Sequence, residues 1–111
     1  MFEKFGQIAG MLKNLPKMRE EMQNLQERIA QITAEGDAGA GMVKARVNGG
    51  MEVLSCTISE DTLKLNDKEL LEDLIKAAIN QALQKAKKAV AEETSKMASG
   101  LGMPPGFQLP S

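Results

Sequence analysis

Histidine, tryptophan and tyrosine are absent from this sequence, and cysteine occurs once, at Cys56. Without histidine there is no imidazole to act as a general base near neutral pH or to bind zinc, and a lone thiol forms no intrachain disulfide. Most acid/base and metal-assisted chemistry loses its usual carriers, so no catalytic residue and no enzyme is expected. Cys56 alternates with Leu54 and Ile58 in a strand-like run, which predicts a small buried hydrophobe in the core. No apolar run approaches the roughly 20 residues of a membrane span, and the first residues lack the charged-then-apolar order of a secretory signal. A cytoplasmic protein without a membrane partner is expected.

An excess of one charge is also missing: 14 basic against 15 acidic residues leave a formal net charge of -1. Bulk charge therefore announces no polyanionic partner, and only a local patch could serve one. Aromatics are confined to Phe2, Phe5 and Phe107, too few for a platform on which single-stranded bases stack. The glycines of "VNGG" and "SGLG" lack phosphate-loop spacing, and turns are their expected use. The adjacent carboxylate pairs Glu60/Asp61 and Glu72/Asp73 do not by themselves make a cation site and read as solvated surface or helix caps. No metal, cofactor or small-molecule substrate is expected.

What is present is strong periodicity. The 111 residues suit one domain, read here as residues 1–99, followed by a flexible Gly/Pro-rich tail at 100–111. Ile8, Met11, Leu15, Met18, Met22, Leu25, Ile29 and Ile32 recur at steps of three and four, the apolar stripe of a helix. Pro16 falls within it, so a kink or a fresh start is predicted there. "TAEGDAGAG" breaks the pattern, and a short edge strand is expected near Ile32 to Asp37. Val43, Ala45 and Val47 alternate with Lys44 and Arg46, the period of a strand with one buried face. Asn48-Gly49-Gly50 then predicts a tight type I′ turn onto a strand over Glu52 to Ser59.

After "SEDTLKL", Asn66 and Glu69 form an Asn-x-x-Glu capping box that should open a second long helix, running from Asp67 to about Ser99. Its apolar side narrows from Leu71, Leu74 and Ile75 to Ala78, Ala82, Ala86 and Ala89, and small residues permit close packing. The predicted class is α+β: long helix, three-stranded antiparallel sheet, long helix. Such a helix measures about 50 Å, whereas the strands reach only about 20 Å, so helical arms must overhang the sheet. Uncovered stripes and strand edges call for a second copy. Val43, Ala45, Val47, Leu54 and Ile58 are the residues expected to make that homodimer.

Several segments in order, "GAGMVKARVNGGMEV", "SCTIS", "LLEDLIKAAINQALQKAKK" and the terminal "PPGFQLP", resemble the YbaB/EbfC family of bacterial nucleoid-associated proteins. The resemblance implies a tweezer-shaped homodimer that binds double-stranded DNA in the nucleoid and alters its conformation. Charge placement is compatible with that. Lys13, Lys17 and Arg19 lie in the run from Lys4 to Arg19, which has no acid, and Lys85, Lys87 and Lys88 lie in an acid-free stretch of the second helix. Antiparallel packing should bring both groups to one distal region of the arm, where they are the expected contacts to DNA phosphates. Charges opposite an apolar face also keep a helix solvated, so a second reading remains open: a dimeric protein-binding scaffold that grips helices with its Met-rich arms.

Overall fold

The computed structural model describes the backbone of residues 2–100 and the side chains of residues 13 and 15–99. Helix α1 (Phe2–Gln31) leads into strands β1 (Thr33–Ala38), β2 (Val43–Asn48) and β3 (Val53–Ile58). A short helix α2 (Glu60–Lys64) and the long helix α3 (Lys68–Gly100) complete the order. The strands form one antiparallel meander, β1-β2-β3, and the fold is α+β as expected. Its dimensions of 74 × 21 × 16 Å show how far the helices outrun the sheet.

Helix α1 runs through Pro16 without a break. Near its C-terminal end the stripe meets α3, where Leu25 is buried and Arg28 pairs with Glu93 at 3.4 Å. Farther out, Leu15 and Met22 are 44% and 43% exposed.

The core lies between the sheet and α3. Val43, Ala45 and Val47 of β2 are buried against Ala78, Ala82 and Ala86. The alanine seam lets α3 approach closely enough to touch β1 backbone. A Cβ at Gly36 would collide with the Ala78 carbonyl oxygen and the Ala82 amide nitrogen. Burying even small side chains contributes about 25 cal/mol per Å² of apolar surface, and close contact adds dispersion that a looser helix would forgo.

Three local expectations need correction. The β2–β3 connection is not a two-residue type I′ turn: Asn48 pairs with Glu52, Met51 N–H donates to the Asn48 carbonyl, and positive φ falls on Met51 (62°). This is a three-residue loop closing through a left-handed residue. Gly49 serves instead for close approach, because a Cβ there would strike the Ile29 carbonyl oxygen at the end of α1. Second, Asn66 is not the cap of α3. It adopts positive φ, and Asp67 Oδ1 accepts from Leu70 N–H at 3.1 Å. Third, "SEDTLKL" contains the unforeseen α2, whose N-cap Ser59 accepts from Thr62 N–H at 3.2 Å. Helix α3 continues through Gly100, and the remainder of the expected tail lies outside the described residues.

Candidate nucleic-acid interface

The six basic residues singled out in the sequence are all exposed. Lys13 and Lys17, four residues apart on α1, share the side opposite the apolar stripe, and Arg19 flanks that stripe. On α3, Lys85 and Lys87 lie about 100° to either side of the buried Ala86, and Lys88 about 200° from it. Among the described residues, no salt bridge engages any of the six. The pairs that do form use Arg28 and Lys96 with Glu93, and Lys68 with Glu72.

The two groups do not meet in one distal region. With Arg28 beside Glu93 and the helices antiparallel, Lys88 lies toward the sheet from that pair and Lys17 lies away from it. At 1.5 Å per residue the two are about 24 Å apart along the arm. The expectation missed this because it aligned the helices by their ends, whereas the alanine seam anchors α3 over the sheet and pushes α1 outward.

Sequence reasoning also missed two bases. Lys44 and Arg46 project from the helix-free face of the sheet, on the exposed positions of β2. Lys44 joins Lys85, Glu35, Gly36 and Asp37 around a shallow cleft of 280 Å³. In register, Asp37 stands opposite Lys44 and Glu35 opposite Arg46, so this face is charge-balanced while the outer α1 segment at 13–19 is basic. The alternation that marked β2 as a strand was the available signal.

The sheet's edges differ. Gln81 Oε1 of α3 accepts from the Asp37 N–H at 2.7 Å, so the helix occupies part of the β1 edge. Helix α3 lies across β1 and β2 and leaves β3 bare: Val53 and Leu54 are 49% and 50% exposed. Cys56, expected in the core, is exposed. Val43, Ala45 and Val47, expected at a dimer contact, are instead covered by α3 of their own chain, while Leu54 is exposed and Ile58 half-buried.

The model of the YbaB/EbfC DNA-binding family matches residues 4–101, nearly the whole chain. The chain belongs to that family. A solved relative has the same fold: the uncharacterized protein HP0035 from Helicobacter pylori, 28% identical. The match covers 78% of this chain and 96% of that one, with a TM-score of 0.55. Among the described residues, features left unspent by the intrachain core include the bare β3 edge, the exposed Leu15 and Met22 of α1 and the spaced lysines. Among the described residues, no group of acidic or thiol side chains could hold a metal, and no helix is long and apolar enough to cross a membrane.

Proposed function

We propose that the chain is a nucleoid-associated protein of the bacterial cytoplasm. It binds duplex DNA as a homodimer, with little sequence preference, and alters the conformation of the duplex. Membership of a DNA-binding family over residues 4–101 carries this reading. Two features of the fold support its finer parts. An open strand edge with half-exposed Val53 and Leu54 is the kind of surface a second copy covers, and antiparallel pairing of β3 with its mate would join two sheets into one. Exposed lysines that no salt bridge among the described residues engages are suited to phosphates, whose neutralisation releases counterions and supplies affinity independent of sequence. The spacing of about 24 Å between Lys17 and Lys88 equals roughly seven base steps at 3.4 Å each, so one chain would contact the backbone at two separate points, one on the α1 arm and one beside the sheet. Two such points per chain, doubled in the dimer, give the leverage to bend or clamp a duplex.

The test replaces Lys13, Lys17, Arg19, Lys85, Lys87 and Lys88 with Gln and measures gel shifts on unrelated duplexes across a salt series. Affinity should fall equally for all sequences. The slope of log affinity against log salt should shrink by about 0.9 for each phosphate that is no longer neutralised. A folded variant with unchanged affinity and slope would overturn the basic-arm mechanism. Absence of duplex binding by the parent protein at low salt would turn the reading toward a protein-binding scaffold.

A further inference from the structure

Of the asparagines in the chain, only Asn48 is followed by glycine. Asn-Gly is the dipeptide that most readily loses its side-chain amide, because no Cβ on the second residue hinders its backbone nitrogen from attacking the carboxamide carbon. Base removes the Gly49 N–H proton, the nitrogen bonds to Asn48 Cγ, and the side-chain nitrogen leaves as ammonia with a proton from solvent. Water then opens the cyclic imide to aspartate or isoaspartate, and no oxidant or reductant is needed.

In the fold both reacting groups are engaged elsewhere. Gly49 is buried, and its N–H donates to the Ile32 carbonyl at 2.9 Å. Asn48 Oδ1 accepts from Glu52 N–H at 3.0 Å, which fixes the carboxamide. Attack requires rotation about the Asn48 Cα–C bond, and that rotation would also break the bond from Met51 N–H to the Asn48 carbonyl. These restraints belong to the root of α1. Ile32 joins α1 to β1 and donates its N–H to the Ile29 carbonyl, the same carbonyl that leaves no space for a Cβ at Gly49.

We propose that Asn48 is a deamidation site held shut by the docking of α1 on the β2–β3 loop, and that it reacts when this docking opens. Local openings of this kind are ordinarily transient. Deamidation makes one of them permanent. Isoaspartate carries the main chain through its side chain and so adds a backbone carbon at the position that pairs with Thr33 and Glu52. The lengthened loop no longer presents the Gly49 N–H to Ile32, and a buried amide without an acceptor disfavours the closed arrangement. Helix α1 thereby loses its anchor at the sheet.

The test incubates the full chain at mildly alkaline pH, folded and in guanidinium chloride, with isoaspartate counted by enzymatic methylation and located by peptide mapping. Formation at residue 48 should be at least tenfold slower in the folded protein. Equal rates would overturn the proposal. Amide exchange at Gly49 needs the same proton to leave, so it reports the opening independently. Leu25→Ala hollows the contact of α1 with α3 and should quicken isoaspartate formation and Gly49 exchange by the same factor, severalfold. Faster exchange without faster isoaspartate would overturn the gate. Should that variant not fold, denaturant below the midpoint of the parent provides the same comparison: the two rates should rise in parallel, and isoaspartate formation indifferent to denaturant would count against the gate. Protein bearing isoaspartate at 48 should also exchange the amides of residues 25–31 severalfold faster, and unchanged exchange there would overturn the release of α1.

Discussion

The two edge strands of the sheet contradict a simple hydrophobic rule. β1, Thr-Ala-Glu-Gly-Asp-Ala, is mostly polar or small, yet it lies beneath α3. β3, Val-Leu-Ser-Cys-Thr-Ile, is the more apolar of the two and lies open to solvent. Helix α3 goes where backbone can meet backbone, and Gly36 against Ala78 and Ala82 permits that where Val53 and Leu54 would hold the helix off. Cover within one chain thus follows small size, while the larger apolar surface of β3 is left exposed. A bulge sharpens the difference, since the pairing of β2 with β3 shifts register between Arg46 and Val47.

The contrast breaks most severely at Gly36. Gly36→Leu would drive a side chain into α3 backbone, and overpacking of this kind should cost about 3 kcal/mol, read as a large fall in the urea midpoint. A similar gain of bulk on β3 should be nearly silent in stability. Next, Leu54→Lys tests what the open edge is for. Light scattering should show the parent at twice the 12.0 kDa chain mass and the variant at the chain mass. Association should weaken about 100-fold, or about 2.7 kcal/mol, with helix content retained. A parent that is a folded monomer at micromolar concentration would remove the role assigned to β3.

A smaller effect is expected at the cap of α3. Asp67→Ala removes the acceptor for Leu70 N–H and should cost about 1 kcal/mol, whereas Asn66→Gly should be tolerated because Asn66 already has φ of 51°. Reversal of that order would restore Asn66 as the cap. Smallest of all, Gln81→Ala frees the β1 edge at Asp37 and should cost about 0.5 to 1 kcal/mol, measured by chemical denaturation. If the variant also forms larger species, the side chain guards that edge as well as bonding it.

Element types were legible because each rests on a local period: steps of three and four for α1 and α3, alternation for β2, and glycine-rich breaks between them. The same periodicity named the alanine seam of α3. Errors arose where two local solutions compete. Asn66 and Asp67 are both good caps, and Met51 took the left-handed position that Asn-Gly would ordinarily supply. The short α2 was missed because five residues are too few to display a helical period.

By itself the sequence determined the α+β order, the buried face of β2, the length of α3 and the acid-free runs at residues 4–19 and 76–91. Only tertiary structure decided who covers what. An apolar period states that a face requires burial, but not whether the cover comes from the same chain. That choice turned on the depth to which α3 settles, set by Gly36 and three alanines, and it consumed Val43, Ala45 and Val47 while exposing Cys56 and Leu54. The same seating set the longitudinal register of α1 against α3. It therefore separated the two lysine groups that a reading by helix ends would have placed together.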